Sequence, residues 1–218
     1  MTRGHRYKTS HLTEDQKQPG SQSRVLRNLL GIRRKKEMDR IEAVEQLRAL
    51  QKLLEIYGAD HSFTAEDIRI IHKLWLVKIY SWAGQYRSVN ISKSGFSFAV
   101  AREIPKLMMQ FEKDILAKYT PCRAGQPLEG IARALAVVHV ELVLIHPFRE
   151  GNGRVARLLA ILMALQAGLP VLEFGGLRGR TKEYIAAIHA GISREYGPMA
   201  DIFLRVIRRT LKNVRGKV

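Results

Sequence analysis

Residues 131–157 read IARALAVVHVELVLIHPFREGNGRVAR. The stretch up to Ile145 is almost wholly apolar and of helix length, and it stops at a His-Pro pair. Pro147 disfavours helical geometry at the residue before it, so the helix is predicted to end at His146 with the imidazole free at a rigid end. Phe148 is expected to turn inward and pin the loop. Gly151 and Gly153 remove side chains where a ligand must approach the backbone closely, and they permit unusual dihedrals. A second apolar helix is then predicted to start at Asn152 or Gly153. Two buried helices joined by a short polar loop point to an all-helical core with a site at the joint.

The loop's chemistry is that of anion binding. The unpaired N–H groups and positive dipole end of the second helix form an anion site. Arg154 and Arg157, three apart, share one face of its first turn, where fork-shaped guanidiniums can grip successive phosphates. Glu150 is a hard oxygen ligand suited to a magnesium ion shared with those phosphates. His146, whose ordinary pKa is about 6.5, can be neutral and accept a proton near physiological pH. Taken singly, each feature has a plain reading: a helix terminator, a turn, solvated surface charge. In fixed order between two apolar helices they read together as a nucleoside triphosphate site.

The rest of the chain sets the frame. Its 218 residues, 46% of them hydrophobic, suffice for one domain with a real core and an appendage. Cys122 is the single cysteine, which excludes an internal disulfide and suits a reducing cytosol. No apolar run is long enough to cross a bilayer, and the N-terminal MTRGHRYKTS lacks the apolar core of a secretory signal, so a cytoplasmic protein is expected. The net charge of +17 fits nucleic acid, an acidic protein partner or simply a basic surface.

Residues 1–36 are polar and basic and read as a mostly extended arm, with an apolar anchor at VLRNLLGI. The helical domain is placed at 37–212 and a basic tail at 213–218. Met38, Ile41, Val44 and Leu47 form one helical stripe, and Ile68, Ile71, Trp75 and Ile79 another behind a Thr64–Asp67 capping box. In residues 82–99, WAGQYRSVNISKSGFSFA, Tyr86, Ser88 and Asn90 alternate with Arg87, Val89 and Ile91, and Ser-Lys-Ser-Gly supplies turn chemistry. This predicts a hairpin, the one strand signal in the chain. Helices follow at about 103–118, 128–145, 152–167 and 198–212. A further one is predicted after a Thr181 cap, on Ile185, Ile188 and Ile192. The fold class is all-α with one small hairpin.

HPFREGNGRVAR resembles the signature of Fic domains (filamentation induced by cAMP), His-x-Phe-x-Asp/Glu-Gly-Asn-Gly-Arg-x-x-Arg, at every fixed position. The stretch YSWAGQYRSVNISKSGFSFA is similar to the family's hairpin or flap, and TKEYIAAI to its post-motif helix, so the resemblance covers about residues 37–210. It implies a protein adenylyltransferase that moves AMP from ATP to a Ser, Thr or Tyr hydroxyl of a target protein and releases pyrophosphate. His146 would be the base and Glu150 the Mg2+ ligand. Gly151, Asn152, Gly153 and Arg154 would cradle the α- and β-phosphates, and Arg157 would take the γ-phosphate.

By the same resemblance the flap residues Ile91, Ser92, Lys93 and Ser94 would border the nucleotide, and the target segment would pair with the flap backbone. Tyr184 and Ile185 are the candidates for the adenine pocket. Doc-type relatives commonly carry Lys where this chain has Gly153, and transfer phosphate instead. The family's inhibitory motif, Ser/Thr-x-x-x-Glu-Gly/Asn, is matched only in spacing by Ser10 with Glu14 and Ser62 with Glu66, so an inhibitor is expected to be a separate acidic antitoxin. The competing readings are a nucleic-acid-binding protein that uses the basic arm and tail, and a Fic protein that transfers a different nucleotide or a phosphate. A degenerate scaffold is disfavoured because no motif residue is missing. A metal hydrolase is disfavoured too: neither His139 with His146, nor His5, His11, His61, His72 and His189, shows ligand spacing.

Overall fold

From Ala134 to Val140 every residue of the helix Leu128–Ile145 is buried, so this helix has no solvent face along its middle and the chain is built around it. The computed structural model describes residues 12–93, 95–177 and 179–216; Ser10 and Ser94 lie outside the described residues. The helices in chain order are α1 (Lys35–Ile56), α2 (Ala65–Leu76), α3 (Ile104–Phe111), α4 (Ala117–Tyr119), α5 (Leu128–Ile145), α6 (Asn152–Gln166), α7 (Thr181–Ala190) and α8 (Gly197–Arg215). A π-helical turn, Glu112–Leu116, joins α3 to α4. Helices α6 and α8 pack on α5, and α2 lies between α1 and α6. No helix among the described residues is long and apolar enough to cross a membrane.

Local chemistry accounts for most of these elements. Thr64 Oγ1 accepts from the Asp67 N–H at 3.1 Å while Asp67 Oδ2 accepts from the Thr64 N–H at 2.8 Å, a complete capping box. Behind it Ile68, Ile71, Trp75 and Ile79 are fully buried, as their spacing predicts. In α8 the buried positions Met199, Ile202, Phe203, Val206, Ile207 and Thr210 repeat at helical spacing. That helix runs on to Arg215, three residues into the predicted tail.

Several expectations are corrected. In α1 the buried face is Met38, Glu42, Ala49 and Leu53, whereas Val44 and Leu47 are exposed. The stripe is rotated because α1 turns a carboxylate towards the joint between α5 and α6. The hairpin falls within 82–99 as predicted, but its strands are only Ser92–Lys93 (β1) and Phe96–Ser97 (β2), antiparallel with Ser92 opposite Ser97, so β1 lies where turn chemistry is expected. Residues 86–91 form no strand, yet their alternation is real: Arg87 and Val89 are buried and Ser88 and Asn90 exposed. Thr181 is the first residue of α7 rather than its cap, and Arg180 at the N-cap makes no side-chain capping bond. Of the predicted α7 stripe Ile188 is buried; Ile185 faces an open cleft and Ile192 is exposed.

Residues 12–34 contain one helical turn, Thr13–Asp15, and one isolated antiparallel bridge, Lys17 to Leu26, and are otherwise irregular. They are nonetheless packed, with Val25, Leu26 and Ile32 in the core.

Candidate functional site

A cleft of about 530 Å³ opens between the α5–α6 loop, the hairpin and α7. Its walls include His146, Glu150, Gly151, Asn152, Gly153, Arg154, Arg157, Ile91, Ser92, Lys93, Tyr184 and Ile185, so every described residue expected at the base, the metal or the nucleotide lies on it. Phe96, Phe98, Arg149 and His189 also line it and were not foreseen.

His146 follows the last residue of α5 and takes a left-handed conformation, φ 53 and ψ 58. Its N–H still closes onto the Leu142 carbonyl at 3.1 Å, while its Nδ1 lies 3.0 Å from the Val143 carbonyl and donates to it. That fixes the tautomer and leaves Nε2 with its lone pair. The ring stacks on Phe98, with centroids 3.7 Å apart and planes 19° apart. Burial lowers the pKa of His146 to about 4, and the charges of Arg87 and Lys93 act in the same direction, so the ring is neutral at physiological pH.

Arg87 ties the hairpin to that histidine. Its guanidinium donates to the carbonyls of Val89 (2.6 Å), Ala99 (2.6 Å) and His146 (2.7 Å), and its N–H donates to Pro147 O at 2.9 Å. It thus satisfies the open carbonyl end of α5, where the helix dipole is negative, and both stems of the hairpin. The alternation that puts Arg87 on the side of Val89 was the sequence signal for its burial.

The loop is clamped from within. Phe148 is fully buried and stacks on His72, centroids 3.9 Å apart. His72 Nδ1 accepts from the Gly84 N–H at 2.8 Å, which leaves Nε2 to donate to Glu150 O at 3.2 Å. Asn152 spends both ends of its amide on Phe148, accepting from its N–H and donating to its carbonyl, each at 2.8 Å. It therefore offers the cleft its backbone N–H. The N–H groups of Asn152 and Gly153, at the start of α6, have no acceptor among the described residues.

The two glycines differ. Gly151 has φ +86, and a Cβ there would meet Trp75 Cζ3 at 2.6 Å; at Gly153 the nearest atom would be Arg157 Nη1 at 3.9 Å. Only the second leaves its space to the cleft.

Arg154 Nη1 donates to Glu42 Oε2 at 2.6 Å, and the guanidinium lies over the Trp75 ring at 4.4 Å. Arg157 makes no hydrogen bond or ion pair among the described residues, and burial lowers its pKa. Glu150 Oε1 accepts from the Gly151 N–H at 3.0 Å; the side chain is 47% exposed at the cleft rim. Among the described residues no group of three or more His, Cys, Asp or Glu could hold a metal, so an ion at Glu150 would take its other ligands from a bound phosphate and water.

On α7 the Tyr184 hydroxyl turns inward to His139 Nε2 at 2.7 Å, leaving the ring to the cleft. Burial lowers the His139 pKa to about 3 and raises that of Tyr184, so both are neutral. The segment before α1 holds one cleft residue, Arg149. Asp15 pairs with Arg149 at 2.9 Å, and Glu14 accepts from the Ser88 N–H at 2.8 Å. Glu66 pairs with Arg69 at 2.7 Å. Neither glutamate engages Arg157.

Known proteins give the site its context. Residues 62–164 match the Fic/DOC family. Protein adenylyltransferase VbhT of Bartonella schoenbuchensis is 34% identical over 189 residues, 86% of this chain, and this chain spans 37% of its length. Probable protein adenylyltransferase y4lH of Sinorhizobium fredii is 26% identical over 84% of this chain and 91% of its own. The fold is that of BepC of Bartonella tribocorum, solved with bound AMPPNP, at a TM-score of 0.65 and 22% identity over 83% of this chain and 91% of that one. The chain carries a Fic domain of the Fic/DOC family.

Proposed function

We propose that this chain is a protein adenylyltransferase that moves AMP from ATP to a Ser, Thr or Tyr hydroxyl of a target protein. The observation that carries the reading is the meeting, across one cleft, of a neutral imidazole with a free Nε2 and a helix N-terminus flanked by Arg154 and Arg157. The names of VbhT and y4lH, and the AMPPNP in BepC, support it.

In this reading the target oxygen attacks the α-phosphorus as its proton passes to His146 Nε2. The bond from that phosphorus to the α–β bridging oxygen breaks, and its electron pair leaves with pyrophosphate. A positioned base of this kind contributes roughly 10²–10⁴ in rate. The N–H groups of Asn152 and Gly153, beside Gly151 and with Arg154, receive the α- and β-phosphates, and Arg157 receives the γ-phosphate. Lys93 and the flap backbone close over the nucleotide and offer an edge to the target segment. Tyr184 and Ile185 border the base. Mg2+, when bound at Glu150, would neutralise charge on the phosphates.

Among the described residues Arg157 makes no hydrogen bond or ion pair, Glu14 and Glu66 are engaged elsewhere, and the chain carries +17. These support control by a separate acidic inhibitor, as in a toxin–antitoxin pair. The lone, buried Cys122 suits work in a reducing cytoplasm.

The test is ATP labelled at the α- or the γ-phosphate, incubated with the protein in a bacterial lysate. A protein band labelled only from the α position, and absent with His146→Ala, is expected. Labelling from the γ position alone would show phosphoryl transfer and overturn the reading.

A further inference from the structure

The motif arginine Arg154 does not stand alone at the cleft: a carboxylate from the first helix, distant in sequence and absent from the motif, holds it. Glu42 is buried on α1, with its side chain 2% exposed. Both its oxygens are engaged. Oε2 accepts from Arg154 Nη1 at 2.6 Å, and Oε1 accepts from the Tyr80 hydroxyl at 2.9 Å. Trp75 donates its indole N–H to the Glu42 carbonyl at 2.8 Å, and the same ring lies under the Arg154 guanidinium and packs against Gly151. Three helices thus converge on one guanidinium. Its face rests on an indole, one edge is taken by a buried carboxylate, and the rest is turned to Glu150 and the cleft.

A free arginine on a helix surface samples many rotamers, and ordering it on a ligand weakens binding. Here the ordering is done before any ligand arrives. The arrangement is costly to build: a carboxylate taken out of water is tolerated only because Arg154 and Tyr80 satisfy it. It also explains the exposed Val44 and Leu47, since α1 is rotated to bring Glu42 inward.

We infer that Glu42 is a positioning residue for the phosphate contact: it locks Arg154, through one ion pair and the shared Trp75, in the orientation that receives a polyphosphate. The inference rests on the reading of the cleft as an ATP site. Glu42 touches no substrate and acts only through Arg154.

The test compares the affinity of the full chain for ATP and for adenosine, which share the base pocket but not the phosphates. Glu42→Gln keeps the shape and the Tyr80 bond but removes the charge. ATP binding is expected to weaken about tenfold or more while adenosine binding stays as in wild type. Arg154→Gln should lose at least as much, and the double variant no more than Arg154→Gln alone, since the two side chains act as a unit. Should Glu42→Gln fold poorly, Glu42→Asp keeps the charge but withdraws it from Arg154, and the same loss confined to ATP is expected. ATP affinity unchanged or tighter in a folded Glu42 variant overturns the inference, and so does an equal loss for ATP and adenosine, the mark of a merely structural role. Failure of the wild type itself to bind ATP would instead overturn the underlying ATP-site reading, and the positioning role with it.

Discussion

Arg87 Nε donates to the carbonyl of His146 at 2.7 Å, so the hairpin and the proposed base are tied through a single buried guanidinium. The same group serves the carbonyls of Val89 and Ala99 on the two stems of the hairpin. Without it, acceptors on three segments would be buried and unpaired, at about 1–3 kcal/mol each. Arg87→Ala is therefore expected to lower stability by about 3 kcal/mol or more, read by urea unfolding. Arg87→Lys should recover only part of this, because an ammonium cannot reproduce the planar fork. A loss below about 0.5 kcal/mol in Arg87→Ala would contradict the arrangement.

The neutrality of His146 gives a pH signature. Its pKa is drawn down to about 4 by burial, reinforced by Arg87 and Lys93. The kcat/KM of transfer, which reports the free enzyme's base, is expected to stay level from pH 8 to about 5 and to fall below that. A midpoint near the ordinary value of about 6.5 would mean that the imidazole is solvated in the working enzyme.

Gly151 and Gly153 separate structure from binding. A methyl at Gly151 would press into Trp75 at 2.6 Å from a backbone with φ +86, so Gly151→Ala is expected to destabilise the chain by several kcal/mol, roughly the range of core overpacking plus backbone strain. At Gly153 nothing lies nearer than 3.9 Å. Gly153→Ala should melt at or above the wild-type temperature, since alanine favours helix, yet bind ATP more weakly. Thermal melting alongside ATP titration decides it; equal melting temperatures for the two variants would refute the distinction.

Much of this was legible in the sequence because it is local. Pro147 ends α5, the box at Thr64 and Asp67 starts α2, and the apolar run up to Ile145 marks the central helix; each signal is written within a few residues. The cleft residues were legible for the same reason, being carried mostly on one loop and one hairpin. What was hidden depends on partners far along the chain. Nothing near Glu42 distinguishes it from the other charges of α1, because its burial is decided by Arg154, 112 residues away. His72 shows no ligand spacing in the sequence, and its hold on Gly84 and Glu150 emerges only once α2 meets the loop. The hairpin was legible but its first strand is short, because upstream of Ile91, whose carbonyl accepts from the Phe98 N–H, the Val89 carbonyl is taken by the Arg87 guanidinium rather than by the opposite stem.

His72 and His139 supply an acid-stability prediction. Both are buried beside the site, with pKa values lowered by burial to about 3. His72 also feels Arg154, and His139 feels Arg157, which reinforces the shift. In the unfolded chain each ring would titrate near 6.5. Between these values the unfolded state binds protons that the folded state does not, so lowering the pH favours unfolding. Their contribution is whole above pH 6.5 and declines as the pH falls towards 3. At pH 5 each ring accounts for a loss of about 2 kcal/mol relative to pH 7. His139→Gln should be less stable than wild type at pH 7 because Tyr184 loses its partner, but its stability should fall by about 2 kcal/mol less between pH 7 and 5. Urea unfolding of both proteins at the two pH values measures the difference, and parallel declines would show that His139 is already charged or solvated in the folded chain.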